Sequence, residues 1–285
     1  MSGSTLDRLR ARRSAIGSPL CLGIDPHPDH LPEDLTPDVA GIEAFARGLI
    51  EAAGPEVSAV KINVAFFEAF GAAGWAALER VRADIPRELP CVLDAKRGDI
   101  GSTAERYAAG IFGHLDVDAV TLSPYLGEDA ISPFLAYGDR MVYVLARTSN
   151  PTAGQVQGLD AGTEPVYLHV ARWVSERWPD GRVGLVVGAT APDEMARIRA
   201  AVTGPGFLVP GVGAQGGDLD AARRHADGTW APGIVSVSRG IALASPGPDW
   251  RKEAAAAASA FRRQTQDPVL HSTASHAHAA SSEVH

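Results

Sequence analysis

Short runs rich in Val, Ile and Leu recur along the chain, at LCLGID (20–25), VSAVKI (57–62), PCVLDA (90–95), DAVTLS (118–123), MVYVLA (141–146), RVGLVV (182–187), GFLVPG (206–211) and GIVSVS (233–238). Most are continuous rather than alternating, as expected for strands covered on both faces, which favours a parallel sheet. Between them lie amphipathic stretches such as VAGIEAFARGLIEAAG (39–54) and PDEMARIRAAV (192–202), with Ala, Leu, Glu and Arg at helical spacing. About eight strand–helix units in 285 residues is the arithmetic of a single (β/α)8 TIM barrel. A doubly wound open sheet would place GxGxxG after its first strand. Here GVGAQGG (211–217) comes much too late, with no acidic residue at the expected distance. No domain linker stands out, so the barrel is expected over 1–265. The stretch 266–285 is small, polar and His-containing, and is expected to be a disordered tail in which His276 and His278 are solvated.

In a barrel of this kind the chemistry gathers at the C-terminal strand ends. There the chain presents Asp25 after the first run, Lys61 after the second, and Asp94 and Lys96 after the third. The fifth leads into Arg147 and Ser149, the seventh into Gln215, and the eighth into Ser238 and Arg239. Any one could be an ordinary polar loop end. Several charges converging on one rim would cost stability unless they compensate one another, so the set reads as a site. Two Gly-rich segments, PGVGAQGG (210–217) and SRGIALA (238–244), follow the last two strands, where backbone N–H groups commonly cradle a phosphate. Arg239 adds a charged fork suited to that anion.

Lys61, Asp94 and Lys96 alternate in sign. Opposite neighbours keep each group charged, which suits a Schiff-base lysine poorly. It suits fixed negative charge beside a substrate carboxylate, with an ammonium ready to donate a proton at carbon. No DxD or His cluster demands a metal. A net charge of −8 argues against nucleic acid as a partner, so an anionic ligand needs a local positive pocket. The apolar fraction of 45% fits a soluble globular protein, and no run has the length or apolarity of a membrane span or signal core. Cys21 and Cys91 read as buried reduced thiols, which suits a cytoplasmic protein.

The segment DAKRGDIGST (94–103) resembles the DxKxxDIxxT signature of orotidine 5′-phosphate decarboxylases. GIDP (23–26), VKINVAFFE (60–68), TSNP (148–151), PGVGAQGG (210–217) and VSRGI (237–241) follow in that family's order, so the resemblance covers about residues 18 to 265. TSNPTAG is similar to the bacterial subgroup that includes mycobacterial enzymes. The resemblance implies a cofactor-free, metal-free decarboxylation of orotidine 5′-phosphate to UMP in a homodimer with shared active sites. Asp25 would bond a ribose hydroxyl, Lys61 would bridge the ribose side of the network, Asp94 would face the departing carboxylate, and Lys96 would protonate C6. Asp99 and Thr103 would serve the partner's site, while Arg97 falls on an unspecified position and keeps the reading of a solvated or locally paired charge. Ser149 would contact the pyrimidine, and Pro210, Gln215 and Arg239 belong to the substrate-binding set on the phosphate side. The competing expectations are a magnesium-dependent sugar-phosphate decarboxylase or synthase of the same superfamily, disfavoured by Lys61, and a non-catalytic ligand-binding barrel. HADGTWAPGIVSVS (225–238) is longer than a minimal approach to the last strand.

Overall fold

In a computed structural model, residues 3–213 and 216–266 are described. Eight parallel strands close into one barrel: β1 (Leu20–Ile24), β2 (Ala59–Asn63), β3 (Cys91–Arg97), β4 (Ala119–Leu122), β5 (Met141–Arg147), β6 (Val183–Val187), β7 (Phe207–Val209) and β8 (Ile234–Val237). Each neighbours the next, and the seam is closed by β1 against β8, with Leu20 opposite Val235 and Leu22 opposite Val237. The expected (β/α)8 TIM barrel is therefore the observed fold, and all eight apolar runs coincide with its strands. The expected tail lies, except for Gln266, outside the described residues.

The strands are buried on both faces, and their two-residue alternation separates two cores. Leu20, Leu22 and Ile24, Val60 and Ile62, and Val142 and Val144 point outward into the larger core. That layer is completed by α2 (Val39–Ala53), α3 (Gly71–Ala83), α4 (Gly101–Ala108), α5 (Val166–Arg177), α6 (Pro192–Ala201), α7 (Leu219–His225) and α8 (Trp250–Thr265). The inward positions Cys21, Ala59, Val92, Ala119, Met141, Tyr143, Val186, Leu208 and Ile234 form a second, smaller core at the barrel floor.

A helix not anticipated from the sequence, α1 (Thr5–Ile16), seals that floor by inserting Leu6 and Leu9 into the smaller core. Its start is a capping box, in which Ser4 Oγ accepts from Asp7 N–H while the Asp7 carboxylate accepts from Ser4. Its end is Gly17 in the left-handed conformation, at φ 67°. The long approach to β8 is also structural: Trp230 N–H donates to Gly204 O, its own carbonyl accepts from Arg10 of α1, and its ring lies where a side chain on Gly204 would otherwise stand.

Both cysteines are free and buried, and burial pushes each thiol up to about 12, so they are packing groups rather than nucleophiles. Among the described residues no helix is long and apolar enough to cross a membrane.

Candidate active site

The same alternation that makes the floor apolar carries polar side chains to the mouth. Two residues beyond Ala59 stands Lys61, then Asn63; beyond Val92 stand Asp94 and Lys96; beyond Ala119 stands Thr121. The ladder sets Gly23 opposite Lys61 and Asn63 opposite Asp94. These residues line a cleft of about 480 Å³ at the C-terminal mouth, together with Asp25, Ser149, Pro210 and Arg239. Both the size and the position fit a small-molecule site. Gly23 allows a close approach there, because a Cβ on it would stand 1.9 Å from Ser238 Oγ and 2.9 Å from Ser238 Cβ, so that side chain would have to move.

Asp94 is the centre of the array. Its Oδ2 accepts from Lys61 Nζ at 3.1 Å, and its Oδ1 accepts from Lys96 Nζ at 2.6 Å and from the Thr121 hydroxyl at 3.0 Å. Lys61 is 4% exposed and also lies 3.9 Å from Asp25 Oδ1. Burial alone would push the Lys61 ammonium down, but Asp94 and then Asp25 outweigh it and hold it above the ordinary lysine range. Burial would likewise raise Asp94, and the charges of Lys61 and Lys96 overcome this and keep its carboxyl well below the usual carboxylate range. The Lys96 side chain is half exposed toward the cleft, whereas Lys61 is enclosed. Asp25 Oδ1 is buried without a hydrogen-bond partner, an acceptor left open in a place where such groups are usually satisfied.

Around this array the expected residues separate. Ser149 follows β5 on a turn that passes against Gly188, where a Cβ would come within 2.8 Å of Ser149 backbone. Pro210 leaves β7 into the cleft wall, and Arg239 opens the helical turn Arg239–Ala242 after β8. Gln215 lies outside the described residues. Asp99 and Thr103 do not join the cleft of their own chain: the Asp99 carboxylate accepts from Ile100 N–H at 2.8 Å, and Thr103 is exposed on α4. Arg147 turns away from the rim to Glu194, at 3.3 Å. Arg97 is locally paired, bonded to Glu68 and to Ala95 O and lying 5.4 Å from the Tyr107 ring.

Asn63, Thr121 and Gln157 are among the cleft residues that escaped the sequence reading. Asn63 and Thr121 were within its reach, since each stands two positions beyond an inward-facing residue on its strand. Gln157 was not. It comes from the turn that folds back after TSNPTAG, where its amide accepts from Thr148 N–H at 2.9 Å and donates to Thr148 Oγ1 at 2.8 Å.

The array can hold a fixed negative charge next to an anionic substrate group and present a mobile ammonium beside it. A family profile described as "Orotidine 5′-phosphate decarboxylase / HUMPS family" matches residues 18–257. The orotidine 5′-phosphate decarboxylase of Herpetosiphon aurantiacus is 46% identical over 259 residues, covering 90% of this chain and 96% of the relative. That of Roseiflexus castenholzii is 49% identical over 255 residues, covering 88% and 92%. Among solved structures, Leishmania donovani OMP decarboxylase superposes with a TM-score of 0.77 at 40% identity, covering 91% of this chain and 99% of that one. Leishmania donovani UMP synthase gives a TM-score of 0.80 at 41% identity, covering 92% of this chain, which spans 57% of the synthase chain.

Proposed function

The chain belongs to the orotidine 5′-phosphate decarboxylase / HUMPS family, and from that membership and the charge array of the cleft we infer how it acts. It decarboxylates orotidine 5′-phosphate to UMP in pyrimidine biosynthesis. The observation that carries the residue assignment is the alternation of Lys61, Asp94 and Lys96 within hydrogen-bond distance at the mouth.

With the pyrimidine carboxylate against Asp94, the bond from C6 to the carboxyl carbon breaks and carbon dioxide leaves. The electron pair stays on C6, the Lys96 ammonium gives it a proton, and solvent reprotonates Lys96. Lys61 stays protonated and orients Asp94 rather than reacting. Asp25, whose side chain is partly exposed at the cleft, takes a ribose hydroxyl, Ser149 contacts the ring, and Pro210, Gln215 and Arg239 hold the phosphate. Binding energy from that remote phosphate organises the site around the reacting carbon. The family resemblance implies no metal or organic cofactor for this sequence of steps.

Asp99 and Thr103 serve the second site of a homodimer. Supporting this, Ile100 (52%), Tyr107 (40%), Tyr125 (85%) and Leu126 (46%) expose apolar surface beside them. The segment Pro124–Ala130 packs against α4, so the four share one face. The TSNPTAG turn supports placement in the bacterial subgroup that includes mycobacterial enzymes, and two buried free thiols suit the cytoplasm.

Purified protein with orotidine 5′-phosphate and EDTA is expected to show loss of the substrate's ultraviolet absorbance. Turnover only of a sugar phosphate, and only with added magnesium, would favour a metal-dependent relative. No turnover of either would favour a non-catalytic barrel.

A further inference from the structure

We infer that Thr121 is a positioning residue for the decarboxylation, setting Asp94 and Lys96 at the reacting carbon; the inference rests on the reading of the cleft given above. Between Leu93 and Arg97 strand β3 advances four residues, while its neighbour β4 advances only from Val120 to Leu122. The two surplus residues form a bulge, and bulges near active sites re-aim side chains. This one contains Asp94 and Lys96. Within it Lys96 has φ 45°, in the left-handed region that side chains rarely occupy, so the surroundings must hold it there.

Thr121 is what holds it. Ala95 N–H and Lys96 N–H, which the bulge removes from the strand ladder, both donate to Thr121 Oγ1, at 3.0 and 2.9 Å. A hydroxyl has two lone pairs and one proton. With both acceptor positions taken by backbone, its proton is directed to Asp94 Oδ1 at 3.0 Å, the oxygen that also receives Lys96 Nζ. One side chain, 1% exposed, thereby fixes the backbone under Lys96 and the orientation of the carboxylate facing it. Lys61 bonds the other oxygen and has no bond to this backbone.

Thr121→Val keeps the shape, removes all three bonds and leaves two amides without their acceptor. It is expected to lower kcat about a hundredfold, the scale of a small misplacement of reacting groups. The Kd for UMP should stay within about threefold, because the ribose and phosphate contacts come from other strands. Thr121→Ser restores the hydroxyl and should recover kcat to within about threefold of the wild type. The pair Thr121→Ser and Thr121→Cys differs in one atom and keeps the test open if valine prevents folding. The thiol, a weaker donor and acceptor, should then give the lower kcat at equal UMP affinity. Valine or cysteine variants matching the wild type in kcat would overturn the inference, as would parallel losses of kcat and UMP affinity that serine does not rescue. A wild-type protein without turnover would remove the parent reading and this one together. An active wild type with an unimpaired valine variant would remove this one alone.

Discussion

At the floor of the barrel Asp118 sits among Arg8, Arg82 and Arg140; at its mouth Asp94 sits between Lys61 and Lys96. Both carboxylates are largely buried, and both are surrounded by cations. At the floor the cations are arginines whose forks reach several partners at once. Arg82 also bonds Asp116 O, Arg140 also bonds Val117 O, and Arg8 ties α1 to the barrel. Asp118 takes Cys91 N–H as well, at 2.9 Å. Each group there joins one stretch of chain to another. At the mouth the cations are lysines, compact charges on flexible stems. They leave an acceptor on Asp25 open and a cleft beside it. Alternating charge alone does not make a site. The end of the barrel, the choice of lysine over arginine and the room left beside the pair distinguish chemistry from fastening.

The sharpest test of that contrast is Lys96→Ala. It should lower kcat by at least about a thousandfold, roughly 4 kcal/mol of barrier. UMP affinity should hold, and urea stability should change by less than about 1 kcal/mol, because Lys96 itself is half exposed and Asp94 keeps Lys61 as its buried partner. Activity retained within about tenfold would remove the proton-donor role. Next in size, inactive Lys96→Ala and Asp99→Ala chains, mixed under conditions of subunit exchange, should recover about one quarter of wild-type activity. Half of randomly paired dimers then hold one site built wholly from unmutated residues. No recovery despite demonstrated exchange would confine Asp99 to its own chain.

The floor should respond in the opposite sense. Asp118→Ala leaves buried guanidinium groups without their acid and should cost about 3–5 kcal/mol of unfolding free energy. Measured in the folded fraction, kcat should stay within about twofold. A large kcat loss with unchanged stability would reverse the roles of the two clusters.

The smallest effect is in pH. Asp94 has a depressed carboxyl, so its charged form contributes stability that is complete above the unfolded value near 3.8 and is lost as pH falls through the lower folded value. Lys61 is raised, so its contribution is complete below the unfolded value near 10.5 and is lost as pH rises through the higher folded value. Neither group should place a limb on the kcat/KM profile between about pH 5 and 9. In urea titrations the gap between wild type and Asp94→Asn should narrow only below about pH 4. A gap that closes near neutral pH would contradict the electrostatic account.

The two ends also differed in how readable they were. The strands were legible because parallel barrel strands are apolar on both faces, and Asp25, Lys61, Asp94 and Lys96 were legible because charges punctuate those runs. The floor was not. α1 carries only Leu6, Leu9 and Ile16 as large apolar side chains among its charged residues, too sparse a stripe to announce a helix. Its place depends on Asp118, more than a hundred positions away. At the mouth the bulge was invisible for a related reason. VLDAKRG scans as a regular strand, and the shift of register exists only in relation to β4. Gln157 reaches the cleft through a turn whose path no local pattern specifies.

The seam of the barrel has a bearing on how the protein is made. Leu20 leaves the ribosome more than two hundred residues before its partner Val235. Until then β1 has one unpaired edge, and the nascent chain presents an apolar strand to any other chain nearby. Such a distant pairing also implies a slow closing step. A premature stop before β8 would therefore leave no smaller barrel to fall back on, only an open sheet for chaperones and proteases to find.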